Sequence, residues 1–403
     1  MNDKQGTWKT IRRVALTAGV VALSAMAFVA CSSSSSSDKT PTKSAATTPA
    51  AGATSAATKA ATTAAAGGSS IPSNVGKADS AKLTGAGATF PTPLYTRWFS
   101  DYKSSVASGV EVNYQSIGSG GGIKQITEKT VDFGASDAPM SDDEVAKAAG
   151  VQHVPTTLGA VVMTYNIDGV TTALKLDGDT IAKIYLGKIT KWNDAAIAGQ
   201  NAGVTLPSAD IVVVHRSDGS GTTFVFTDYL SHVSADWKAG PGTSKNPQWP
   251  AGLGGQGNEG VSQQVKQNKN SIGYVELVYT KQNNLPAAQI KNKSGDYVTP
   301  STDSTSLAAS GVTIPADYRT SIVDSATKGA YPISSFTYIL LYKNQTDATK
   351  AKALVDLLWW AIHDGQKTTT ELGYAPLPKE VVAMVEKTLT TDIVSGGQPV
   401  LKP

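Results

Sequence analysis

The chain has 403 residues, 40% of them hydrophobic and 17% charged, with 38 glycines. This composition excludes a collagen-like repeat and wholesale disorder, and the length leaves room for two ordinary domains. A single cysteine excludes an intrachain disulfide and a multi-cysteine zinc site. The formal net charge is +3, but residues 1–30 hold Lys4, Lys9, Arg12 and Arg13 against Asp3 alone. The chain from residue 31 onward is therefore about neutral, and a broad basic surface for nucleic acid is not supported.

Lys4 to Arg13 form a positive start, and Val14 to Ala30 follow as a mostly apolar or small-residue run. Residues 1–30 thus read as a secretory signal. A transmembrane anchor is the alternative, for which the run is marginally short. Phe28-Val29-Ala30-Cys31 resembles a bacterial lipobox, with Phe28 where leucine is usual. That resemblance implies cleavage before Cys31, a lipid on its thiol and attachment to the outer face of the cytoplasmic membrane. Thr10-Ile11-Arg12-Arg13 faintly resembles a twin-arginine signal, and the export route stays open. Residues 31–80 read as a linker of alanine, serine and threonine with no aromatic between Phe28 and Phe90. Such a segment buries too little apolar surface to offset its ordering entropy. As a flexible coil it reaches roughly 35–40 Å.

The folded part is expected from residue 81. Leu94, Tyr95, Trp98, Phe99 and Tyr102 sit at helical spacing after Pro91 and Pro93. Val110, Val112, Tyr114 and Ser116 alternate as a strand. Ile123 to Lys129 reads as helix and Val131 to Ala135 as a short strand. Ser141 to Ala149 reads as helix, with Glu144 completing a capping box on Ser141. Val161-Val162-Met163 and Ile211 to Val214 read as buried strands. The β-α-β-α order implies an α/β architecture with largely parallel sheets. Ala351 to Ile362 is an apolar helix whose Trp359 and Trp360 suit core packing better than stacking on a sugar.

Three glycine-flanked turns share one design: Gly85 to Pro91, Gly118 to Gly122, and Arg216 to Thr222. Each follows an expected strand, carries a hydroxyl residue and opens a helix. The first turn of a helix has unpaired N–H groups and partial positive charge, which suits an anion. Glycine lets the backbone approach a ligand, and Thr89, Ser119, Ser220 and Thr222 add O–H donors. Taken singly, each turn could be an ordinary helix cap. Ligands of parallel sheets bind beyond the carboxyl ends of the strands, where such loops gather.

Other chemistries fit less well. Gly252, Gly254 and Gly257 spell GxGxxG, but no strand precedes them, and no P-loop is present. His215, Asp218 and Ser220 invite a hydrolase reading, yet Asp218 stands where a nucleophile elbow needs glycine. His153, His232 and His363 are scattered and read as structural. No metal or other cofactor is implied.

At these residues the chain strongly resembles the substrate-binding proteins of bacterial ABC phosphate uptake. The resemblance runs through Leu83 to Pro91, Asn113-Tyr114-Gln115 with Gly118 to Gly122, and Val131 to Pro139. It continues in Ile184 to Trp192, Arg216 to Phe226, Gly252 to Asn258 and Ile272 to Glu276. It covers nearly all of residues 81–403. His215 departs from the arginine often found there. The family implies a two-lobe periplasmic-binding-protein fold of type II, with mostly parallel mixed sheets and a hinge of crossing strands. Lobe one would be 81–163 plus 336–403, and lobe two 164–335. Carried over by motif, Thr89, Phe90 through its backbone N–H, Ser119, Ser220, Gly221 and Thr222 donate to phosphate oxygens. Arg216 adds charge-assisted bonds, and Asp218 holds its fork. The partners implied are inorganic phosphate and a membrane permease, with no catalysis. A secreted phosphatase using Ser220, or an adhesion or signalling protein of the same fold, is the alternative.

Asp137 is the informative residue of that set. Phosphate near neutral pH still carries a proton, which an ionised carboxylate accepts, whereas sulfate has none to offer. A site built around such a hydrogen bond rejects the analogue lacking it by ~10⁴–10⁵. The alternative for Asp137 is a cap before Ala138-Pro139.

Overall fold

The computed structural model describes residues 71–402. The expected signal, Cys31 and the linker up to residue 70 lie outside the described residues. Eight strands build the main sheet: β1 (Ala81–Gly87), β2 (Val110–Ser116), β3 (Phe133–Ser136), β4 (Val151–Asn166), β5 (Val212–Arg216), β6 (Leu253–Gly255), β7 (Ser271–Glu276) and β8 (Ser334–Tyr342). Their spatial order is β2-β1-β3-β8-β4-β7-β5-β6.

Strand β4 explains the architecture. Its residues 151–160 pair antiparallel with β8, and residues 161–166 pair antiparallel with β7. One strand thus leaves one half-sheet and enters the other. It is buried along almost its whole length, as is β8, because elements cover both faces. The flanks run parallel, as the β-α order implies: β1 with β2 and β3, and β5 with β6 and β7. The centre departs from the largely parallel expectation. A chain that crosses in β4 and returns beside it in β8 has to run the opposite way.

The local elements follow their sequence signals. The helix Thr92–Ser105 buries Leu94, Tyr95, Trp98 and Tyr102, and the Trp98 indole donates to the Gly365 carbonyl at 2.7 Å. The capping box of Ser141 and Glu144 forms, on a helix that stops at Lys147. In the helix Ala348–Ile362, Trp359 is buried and Trp360 lies 5.6 Å from the Tyr102 ring, so both belong to the core. The chain is engaged before residue 81: Ser73 donates to the Lys402 carbonyl at 3.1 Å, and Asn74 bonds both Val400 and Lys402. Composition gives no hint of this, because one backbone N–H and one asparagine side chain supply the clip.

The helix Ser119–Thr127 lies flush on the strands that carry it. A Cβ at Gly122 would stand 2.6 Å from the Gly87 Cα and 2.7 Å from the Ala86 and Ala135 carbonyl oxygens. All three are backbone and cannot rotate away. We expect Gly122→Ala to lower the unfolding free energy by about 2 kcal/mol or more, read as a shift of the urea midpoint.

Candidate functional site

The three glycine turns meet. The first ends β1 and leads to the helix Thr92–Ser105, the second opens the helix Ser119–Thr127, and the third runs from β5 into the helix Gly221–Val233. The Gly120 N–H donates to the Gly219 carbonyl at 2.8 Å, joining second turn to third. Asn258 Nδ2 donates to Thr89 Oγ1 at 2.8 Å and to Thr222 Oγ1 at 3.1 Å, joining first to third. Gly221 sits where the turns press together, because a Cβ there would lie 2.4 Å from Ser119 Oγ and 2.6 Å from Asp137 Oδ2. Only glycine fits.

Thr89, Ser119, Asp137, Arg216, Ser220 and Thr222 are all at most 3% exposed. Each hydroxyl already accepts from the protein. Ser119 Oγ takes the Asp137 N–H at 3.2 Å, and Ser220 Oγ caps its helix by taking the Thr223 N–H at 3.0 Å. Thr89 Oγ1 takes the Asn258 N–H at 3.1 Å besides the side-chain amide. Among the described residues, Thr89, Ser119 and Ser220 donate their own protons to no protein group. Hydroxyls arranged this way are donors in waiting, next to helix starts whose first N–H groups have no intrahelical partner.

Two tyrosines orient the backbone around Phe90. The Thr89 carbonyl, which shares a peptide plane with the Phe90 N–H, accepts from the Tyr279 hydroxyl at 2.6 Å, and the Phe90 carbonyl accepts from Tyr374 at 2.7 Å. In a trans peptide, C=O and N–H point opposite ways, so Tyr279 fixes the direction of the Phe90 N–H. The Phe90 ring itself is buried and packs over Gly159.

Arg216 and Asp218 form a two-pronged ion pair, with Nε to Oδ1 at 2.8 Å and Nη2 to Oδ2 at 2.5 Å. The Gly257 N–H adds a bond to Asp218 Oδ1 at 3.1 Å. Burial pushes Asp218 up, but the Arg216 guanidinium and that amide outweigh it and hold the carboxyl below its usual range. Arg216 Nη1 reaches Thr222 Oγ1 at 3.4 Å.

Asp137 stands alone as an acid. It is 1% exposed, and Thr337 donates to its Oδ1 at 2.9 Å. Burial pushes its pKa up to about 7, against lowering by the Thr337 hydroxyl, the Arg216 charge and the Thr222 hydroxyl. An acid poised near neutrality can hold a proton or accept one.

The hydrolase arrangement does not assemble. Ser220 Oγ is the helix cap, Asp218 is engaged by Arg216, and His215 Nδ1 faces the Arg216 carbonyl at 2.9 Å with its ring stacked 4.7 Å from Trp249. His153 accepts the Met140 N–H, and His363 pairs with Glu386. Among the described residues no cluster of His, Cys, Asp and Glu suits a metal. Thr337, Asn258, Tyr279 and Tyr374 were not singled out by sequence. Only Asn258 sits in a stretch already noted, Gly252 to Asn258.

Two half-sheets joined by a crossing strand, with polar turns converging between them, define a binding protein of the periplasmic class. Residues 48–359 match the PBP superfamily domain. The chain is 46% identical over 321 residues to the phosphate-binding protein PstS of Xylella fastidiosa, covering 79% of this chain and 87% of that one. It is 45% identical to PstS of Pasteurella multocida, covering 78% and 91%. The crystal structure of a phosphate-binding protein from Stenotrophomonas maltophilia shares the fold, with a TM-score of 0.61 at 19% identity over 79% of this chain and 97% of that one. The chain belongs to the PstS family of phosphate-binding proteins.

Asp137 gives the ligand-free protein a pH-dependent weakness. Its folded pKa of about 7 lies above the ordinary value, 3.8, so the folded state holds a proton that the unfolded state has released between those limits. Stability therefore falls as pH rises through that window and is level above it. We expect Asp137→Asn to remove a loss on the order of 2–4 kcal/mol. Melting curves at pH 4.5 and pH 8 should show the variant gaining on wild type clearly more at the higher pH.

Proposed function

We propose that the chain is the extracytoplasmic phosphate receptor of an ABC importer. The observation that carries this reading is one buried carboxylate, Asp137, set among hydroxyl donors, helix starts and Arg216. Such a site suits a small oxyanion that keeps a proton. Thr89, Ser119, Ser220 and Thr222 donate through hydroxyls to unprotonated oxygens. Phe90, Gly221 and Thr222 donate through backbone N–H groups. Arg216, its fork held by Asp218, gives charge-assisted bonds, and Asp137 accepts the ligand's proton. The ligand leaves as it entered, so no catalysis is involved.

The residues divide into lobes of 81–163 plus 336–403 and 164–335, with β4 and β8 among the crossing strands. Contacts between the two sets support a closing cleft. Lys245 Nζ meets Glu144 at 2.6 Å, and Arg319 meets Asp142 at 2.7 Å. The Lys245 carbonyl accepts the Ser220 N–H at 2.9 Å, so closure and the ligand turn are physically joined. Closure removes water, strengthens each bond and presents a changed outer surface to a membrane permease.

Asp137 makes selectivity depend on pH. Sulfate has no proton to give, so it fits only when Asp137 is itself protonated and donates. That form is scarce well above pH 7 and abundant below it. Titration calorimetry with phosphate in excess sulfate tests this: sulfate fails to compete at pH 8.5 and competes measurably at pH 5.5. Asp137→Asn, whose amide donates at every pH, should admit sulfate at both. Sulfate competing at similar concentration with wild type at pH 8.5 overturns the assignment.

Attachment to the membrane is proposed through a lipid on Cys31, the only cysteine, behind a signal at 1–30 and a linker at 31–80. Among the described residues no helix is long and apolar enough to cross a membrane. Mass spectrometry of the mature N-terminus should find a diacylated Cys31. An unmodified terminus at another position refutes the anchor.

A further inference from the structure

Asn258 lies at the second position of the helix Gly257–Gln267, is fully buried, and is tied to three separate parts of the chain. Its Oδ1 accepts the backbone N–H of Glu276, at the end of β7, at 3.0 Å. A backbone N–H can only donate, so this bond decides which end of the amide is oxygen. The Nδ2 group then faces the other way. Its two protons go to Thr89 Oγ1 at 2.8 Å and Thr222 Oγ1 at 3.1 Å.

A hydroxyl oxygen has two lone pairs and one proton. Thr89 Oγ1 receives Nδ2–H and the Asn258 backbone N–H, so both lone pairs are used. Thr222 Oγ1 receives Nδ2–H and the Arg216 guanidinium. Neither hydroxyl can turn to accept from a ligand. Each keeps its own proton to donate: that of Thr89 goes to no protein group among the described residues, and that of Thr222 lies within reach of the Asp137 carboxyl.

We propose that Asn258 is a positioning residue that makes Thr89 and Thr222 obligatory donors and so dictates which ligand oxygens must be unprotonated. The inference rests on the phosphate reading of the site and deepens it. With those two oxygens forced bare, the ligand's proton is left to face Asp137. Polarity thus passes from the Glu276 N–H through one amide into two hydroxyls, and the carboxylate sorts anions only because the hydroxyls cannot take over its task. The same loop also serves the ion pair, since the Gly257 N–H, next along the backbone, holds Asp218.

The test is a double-mutant cycle on the full chain, reading the phosphate Kd by titration calorimetry. Asn258→Ala alone should weaken binding about ten- to a hundredfold while the protein still unfolds cooperatively. In a Thr89→Val, Thr222→Val background, which lacks the hydroxyls, the same change should cost less than about threefold. A purely structural role for Asn258 would give equal losses in both backgrounds, and that result overturns the inference. Should Asn258→Ala fail to fold, Asn258→Ser removes the same amide donors and carries the cycle. Wild type that binds no phosphate overturns the phosphate reading and this inference with it. Wild type that binds phosphate with additive losses overturns this inference alone.

Discussion

Charge sealed away from water has to be matched, and at this site most of the matching is done before any ligand arrives. Arg216 is 2% exposed and already spends its fork on Asp218. Little unbalanced positive charge remains to attract an anion. What the turns offer instead is oriented N–H and O–H dipoles, each weak in water and stronger where water is excluded. No single turn can supply enough of them, so several turns from both half-sheets have to converge. The crossing strand β4 and the contact between Gly120 and Gly219 are the structural consequence.

The same constraint explains why the site weakens the fold that holds it. Asp137 is buried where its charged form is disfavoured, and its partners among the described residues only partly compensate. A protein selected for stability alone would place a neutral residue there. Functional sites commonly keep such locally unfavourable groups because recognition needs them.

Much of this arrangement was legible in the sequence, and the reasons differ by residue. Thr89, Ser119, Ser220 and Thr222 announce themselves because glycine, a hydroxyl and a helix start lie within a few positions of each other. Asp137 is ambiguous locally, since an aspartate before Ala138-Pro139 also suits a cap, and the role proposed for it came from family resemblance. Thr337 carried no signal: it lies 200 residues from the carboxylate it bonds, within an unremarkable apolar strand. Tyr279 and Tyr374 were unreadable for a related reason, because each looks like a core aromatic until its hydroxyl is seen on a turn carbonyl. The antiparallel centre of the sheet was likewise hidden, since strand direction there depends on where the chain returns and not on any local pattern.

The clip between Asn74 and the last residues of the chain has a mechanical meaning. Force arriving along the polypeptide ahead of Ile71 is received first by the bonds of Ser73 and Asn74 to Val400 and Lys402. It enters the body at its own C-terminal hem and not through β4. A pull on the chain can therefore leave β4 and the turns around Asp137 unstressed, because the strain is grounded at a seam remote from them.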